Sequence, residues 1–441
     1  MKADNKIIIF AVILGLISFF APGFLFCAAL VWVFFALARR RTLPVDKDFV
    51  TGILAFSLAF RGAALILIQY LCFMTGRVDI LGDSQDNVLL GVEIGKRLID
   101  PSLEMIHSFS QIWSGIAYNA HAKSFFNAAF FAYFGPDVLS LKFTNCIAVV
   151  VSGWLVYDLA RRLHSGLAGR IALCIFLFWP TLFVWSLTDL KESQLVFAIT
   201  SLIWLAVRII SAPSRRKSFV FLGLSLLISF YFVFLKLKLA LVLILVQAII
   251  GFYWFIRFLY SKNRSVARRV LAYTLLAVLV LLTAKWGHVI TCYDSIMGYQ
   301  RGFYSSGGIN YYLLGSPGEN IHTVPFFLRY LTGAWVHFLG EPFPGRSESI
   351  SLVVFQPLML IWYFILIYMI NGMITVVKSD KKWVSFALFA WFIIYVTVVS
   401  MSIANIGTAV RFRDAMLPVI AVFAGCGVAG RKKPCLYECD G

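Results

Sequence analysis

Two carboxylates three residues apart, Asp83 and Asp86 in Gly82-Asp83-Ser84-Gln85-Asp86-Asn87, have the clearest catalytic potential in the chain. On a helical turn they would share a face. A carboxylate held at a bilayer surface can take the proton from a substrate hydroxyl, provided it comes within hydrogen-bonding reach. Gly-Asp-Ser is equally ordinary turn and N-cap chemistry, and the string alone leaves both readings open.

A second acidic turn lies in Trp185-Ser186-Leu187-Thr188-Asp189-Leu190-Lys191-Glu192-Ser193, where three charges sit between two apolar runs with almost no loop. Charges so close to hydrocarbon are costly unless they are paired or face a wet cavity. Asp189, Lys191 and Glu192 could satisfy one another, or Lys191 could meet an anionic ligand. The third string, Asn405-Ile406-Gly407-Thr408-Ala409-Val410-Arg411-Phe412-Arg413-Asp414, carries two arginines at i and i+2. The guanidinium fork suits phosphate, while pairing with Asp414 or snorkelling is the plainer alternative. Lys236 and Lys238 add two cations at a tight turn, and Arg61 stands alone in the middle of an apolar run. His107 and His121 have no partner at metal-ligand spacing, and no spacing in the chain demands a metal. Carboxylates and a phosphate could still share Mg²⁺ or Mn²⁺.

The elements that must position these residues are apolar. Of 441 residues, 61% are hydrophobic and 14% charged, against roughly 25% charged in a soluble domain. Runs long enough to cross a hydrocarbon core of about 30 Å recur from Ile7 to Ala429. They predict helices over 7–20, 23–38, 49–75, 137–160, 166–187, 192–211, 218–235, 239–259, 269–288, 351–377, 383–404 and 413–430. The fold class is therefore all-α: one polytopic membrane domain over 1–441 with about 11–13 spanning helices. Ala21-Pro22-Gly23 is a turn signal, so 7–38 reads as a hairpin or as one broken helix. Lys2 and Lys6 precede the first apolar run without a small-x-small cleavage site, which predicts a retained membrane segment.

The formal charge of +18 comes from short clusters between apolar runs: Arg39 to Arg41, Arg161-Arg162, Arg215 to Lys217, Lys262 to Arg269, Lys378 to Lys382 and Arg431 to Lys433. That is a topology signal, not a nucleic-acid surface. If the clusters are cytoplasmic, so are both termini, including a short tail at 431–441. Two long loops, 76–136 and 289–350, then face outward together with the turns at 188–192, 236–238 and 405–413. Aromatic stretches in both loops suit helices lying at the membrane interface. The eight cysteines lie mostly in apolar runs without a CxxC pair, so no disulfide framework is expected.

The order of motifs resembles a known family. Gly82-Asp83 is followed by Tyr133-Phe134-Gly135-Pro136-Asp137, by Tyr157-Asp158-Leu159-Ala160-Arg161-Arg162-Leu163, by Phe178-Trp179-Pro180, and by Trp185-Ser186 with Lys191-Glu192. It is similar to bacterial membrane glycosyltransferases of the GT-C superfamily, most clearly over 79–205 and again at Pro342-Phe343-Pro344 and 405–413. The resemblance implies a catalytic aspartate in the first outer loop, at Asp83 or Asp86, and a second acidic position at Asp189 or Glu192. It implies an inverting transfer from a polyprenyl-phosphate-linked sugar to an acceptor hydroxyl on a glycan, lipid or protein, at the outer face of a bacterial inner membrane. In that scheme no cofactor is required, the outer loops cap a cleft open to lipid, and Lys191, Arg411, Arg413, Lys236 and Lys238 are the phosphate-binding candidates. A polysaccharide polymerase or ligase and a lipid-linked oligosaccharide flippase are the competing expectations.

Overall fold

A computed structural model describes residues 22–99, 122–211, 215–235, 324–345, 350–379, 382–403 and 405–430, with a few isolated positions between 252 and 274. The expected helices over 7–20, 239–259 and 269–288, the Lys236 and Lys238 turn, His107 and His121, and most of the second long loop lie outside them. Every long element described is helical: α1 Pro22–Arg41, α2 Lys47–Met74, α3 Gly82–Ile99, α4 Ala122–Phe134, α5 Val138–Leu163, α6 Gly166–Leu177, α7 Pro180–Ser186, α8 Glu192–Ile210, α9 Arg215–Leu235, α10 Val324–Gly340, α11 Ile350–Val377, α12 Lys382–Ser402, α13 Ile406–Asp414 and α14 Leu417–Ala429.

Among the described residues five helices are long and apolar enough to cross a membrane, and seven if each of two bent pairs is one span. α5 and α8 are largely buried, whereas α1, α2 and residues 355–377 turn most of their surface outward. That outward surface is apolar, with Trp32 74% and Ile66 61% exposed, which suits hydrocarbon better than water. α5 packs on α2, α6, α8 and α14, and α14 packs in turn on α6 and α11. Small residues allow the closest of these approaches, as is usual where lipid offers no hydrophobic drive. A Cβ at Gly372 of α11 would overlap the Phe423 carbonyl of α14, and one at Gly427 would overlap that of Tyr368.

One expected straight helix is broken, a second break opens where the turn at 405–413 was expected, and both breaks lie next to the candidate site. The run over 166–187 bends by 60° between α6 and α7, and the segment from Asn405 onward bends by 64° between α13 and α14. Pro180 and Pro418 open the second members, because a proline ring suits the first turn of a helix but not its interior. Residues 405–413, expected as a turn, are instead the helix α13, capped where Asn405 accepts from the Thr408 amide at 3.1 Å.

Arg61 supports the first break. Its guanidinium, fully buried in α2, donates to Leu177 O at 2.6 Å, to Ser186 Oγ at 3.1 Å and to Ser57 Oγ. It thereby satisfies a free carbonyl at the end of α6 and pins the far end of α7. The close α11–α14 seam is open to test. Gly372→Leu should reduce stability by about 1–3 kcal/mol or more through overpacking, read as a lower thermal midpoint in detergent. Gly223→Leu on α9, where an added Cβ meets nothing, should leave the midpoint unchanged.

Candidate functional site

The first loop is held to the bundle by buried charges. Asp79, just before α3, pairs with Lys142 of α5 at 3.0 Å, and both side chains are buried. Lys142 also donates to Gln69 Oε1 and to Val78 O, each at 3.0 Å. Ser84, in the first turn of α3, donates to the same Asp79 carboxylate. The backbone N–H of Asp189 donates to Ser84 Oγ at 2.6 Å and to Asp79 Oδ2 at 3.1 Å. The start of α3 and the 187–191 turn thus share one set of acceptors.

α4 closes over that turn. Lys123 Nζ lies 2.9 Å from Asp189 Oδ1, with side chains 2% and 0% exposed, and Asn127 Nδ2 donates to Asp189 Oδ2 and to Asn87 O. Burial raises the Asp189 carboxyl above its ordinary range, opposed by the Lys123 charge and the Asn127 bond. Burial lowers Lys123, opposed by Asp189 and then Glu192. The two shifts narrow the gap between acid and base, as desolvation of an ion pair must. From the turn a polar chain continues into the bundle. Asn145 donates to Thr188 O at 2.8 Å, Gln194 to Asn145 Oδ1 at 3.3 Å, and Tyr231 to Gln194 Oε1 at 3.0 Å. Asn127 Oδ1, Glu192 Oε2 and Ser193 Oγ are buried without a hydrogen bond among the described residues, so acceptor capacity remains at this turn.

The second break meets the first here. Asp414, at the end of α13, accepts from Trp179 Nε1 at 3.0 Å and from Trp185 Nε1 at 2.8 Å. Arg411 is half-buried, with its guanidinium 5.4 Å from the centre of the Trp185 ring. Arg413 points elsewhere. It donates to Glu341 O at 2.8 Å and lies 4.6 Å from the Trp362 ring centre. Arg411 and Arg413, both expected as phosphate-binding candidates, are thus directed apart, because residues two apart on a helix project about 200° from one another.

Among the expected site residues, Asp83 and Asp86 fall in the first turns of α3, three apart as expected on a helix, and Asp86 is exposed. The Asp83 side chain lies outside the described atoms. Asp189 and Glu192 are buried and Lys191 half-buried. Sequence reasoning missed Asp79, Lys142, Lys123 and Asn127, and weighed Asp414 only as a partner for the arginines, whereas it holds Trp179 and Trp185. A signal was present for two of them: Lys142 interrupts the apolar run 137–160, and Asp79 stands between Val78 and Ile80. Among the described residues no three of His, Cys, Asp and Glu gather where a metal ion could be held. Comparison of the chain with protein-family models, curated proteins and solved structures finds no match.

Lys142→Met should destabilise the protein by about 3–5 kcal/mol, because it leaves the Asp79 carboxylate buried and unpaired. Asp79→Leu combined with Lys142→Met should recover most of that loss. Chemical unfolding of the three variants in micelles measures it, and additive losses would mean that the pair is not coupled.

Proposed function

We propose that this protein is a polytopic membrane glycosyltransferase that moves a sugar from a polyprenyl-phosphate carrier to an acceptor hydroxyl at the outer membrane face. One observation carries the reading. The helix bearing Asp83 and Asp86, the Asp189 turn and Arg411 are tied to one end of the bundle, through Ser84 and Asp79 on one side and through Trp185 on the other. Base, acceptor and leaving phosphate must meet within a few ångströms for such a transfer, and these segments lie far apart in sequence.

In this reading Asp83 takes the acceptor proton, with Asp86 as helper or substitute. Arg411 and Lys191 offset the charge growing on the leaving phosphate in a poorly hydrated setting. Arg413 is withdrawn from that role because carbonyls of the α10 end and the following turn occupy it. The charge pattern puts the site on the outer face and both termini inside. The sugar is held where unused buried acceptors at Asn127, Glu192 and Ser193 remain.

A second reading rests on the two bent helix pairs, whose breaks are joined by the bond from Trp179 to Asp414. Discontinuous helices at mid-membrane mark many transporters, and a lipid-linked oligosaccharide flippase would use them. Proteoliposomes separate the two readings. With a polyprenyl-phosphate sugar, the native protein should transfer sugar, and Asp83→Asn should lower turnover by about 10²–10⁴ while donor binding persists. Arg411→Ala should weaken donor binding as well as rate. Native-rate transfer by both Asp83→Asn and Asp86→Asn would move the base to Asp189 or Glu192. Movement of the donor across the bilayer without any transfer would support the flippase.

A further inference from the structure

At the opposite end of the bundle, the last turns of α1, α5 and α8 bring together basic side chains that the transfer chemistry does not use. Asp158 of α5 is buried and accepts from Arg161 at 2.6 Å, from Arg162 at 2.7 Å and from Trp204 Nε1 at 2.8 Å. Arg208, one turn beyond Trp204, stacks between aromatic faces, 5.1 Å from the Trp204 ring centre and 5.2 Å from that of Phe221. Arg162, Arg41 and Arg161 are all close enough to act on the Arg208 charge. Trp154 extends the aromatic floor beside Trp204 and donates to Thr42 Oγ1 at 3.2 Å, fixing the end of α1 in the same corner.

Arg161 and Arg162 share the Asp158 carboxylate, while Arg208 and, close to it, Arg41 bring two further guanidinium groups to the corner. The Nε–H groups of Arg161 and Arg208 are buried without an acceptor among the described residues, so Asp158 does not saturate the guanidinium donors. Exposed apolar surface flanks the corner on both sides, with Leu37 of α1 52% exposed and Phe219 of α9 65% exposed.

We infer that this corner is a binding site for the headgroup phosphate of an anionic phospholipid of the inner leaflet. The phosphate accepts from the outer faces of Arg41, Arg162 and Arg208, and the acyl chains lie along α1 and α9. Arginine suits the phosphate through its forked donors, the tryptophans suit the depth of a membrane interface, and the cytoplasmic leaflet supplies anionic lipid. The apolar flanks favour a lipid over a free anion, which would gain nothing from Leu37 or Phe219.

Native mass spectrometry of the full chain in neutral detergent, titrated with phosphatidylglycerol or phosphatidylcholine of matched chains, tests the site. The native protein should retain phosphatidylglycerol preferentially, and millimolar inorganic phosphate should not displace it. Arg162→Gln with Arg208→Gln should reduce the preference at least about tenfold. Because that pair also loosens Asp158, the milder Arg41→Gln at an exposed position should shift it in the same direction, and Arg208→Lys should largely keep it. Arg216→Gln with Lys217→Gln, exposed at the same end, should leave it unchanged. Equal retention of the two lipids, an equal loss in the Arg216/Lys217 variant, an unaltered preference in the Arg41 and Arg162/Arg208 variants, or displacement by inorganic phosphate alone would each overturn the assignment.

Discussion

A charge removed from water must find an opposite charge or a full set of hydrogen bonds, and this chain buries many charges. Asp79 with Lys142, and Asp189 with Lys123, place two acids and two bases where almost no solvent reaches. Each pair joins a loop segment to the helical bundle or to the turn between α7 and α8. Removing one partner would strand the other in a medium that cannot solvate it. The arrangement therefore specifies where α3 and α4 sit more sharply than apolar packing could, since apolar contacts alone are tolerant of sliding.

The same rule explains the two bends. A helix that stops inside a bundle exposes carbonyls that must be satisfied, and Arg61 meets one of them at Leu177 while holding Ser186. At the other bend Asp414 draws its bonds from Trp179 and Trp185, so the bends are locked to each other. This lock sets the position of the 185–192 segment, which carries Trp185 beneath Arg411 and Asp189 beneath Lys123. In the proposed transfer reaction this segment is the platform on which the acidic helix and the arginine converge.

The long apolar elements are legible in the sequence because hydrocarbon sets a length that composition reports directly. The predicted 23–38, 49–75, 137–160, 192–211 and 351–377 correspond to α1, α2, α5, α8 and α11. The first bend is not legible, even with Pro180 in view, because the run on either side of that proline is apolar and a hydropathy reading continues through it. At the second, the charges over 411–414 mark a boundary, but a linear reading makes 405–413 a turn where the chain forms α13. The acidic turn at Asp189 stands out as charge next to hydrocarbon. Its partner Lys123 does not, since pairing between segments distant in sequence leaves no local mark. The two arginines of α13 look equivalent in a linear reading, and only the helical geometry of 406–414 separates their roles.

The Asp189 contacts hold the loop helices on the bundle, and hydrogen–deuterium exchange resolved by peptide measures this most directly. Replacing Asp189 with Ala removes the acceptor for Lys123 and Asn127 while leaving the apolar spans intact. The expected result is faster amide exchange across 82–99 and 122–134, with 138–163 and 417–429 unchanged, because local opening tracks the loss of local contacts. Native-like exchange in both loop helices, or a uniform acceleration over the whole chain, would contradict it.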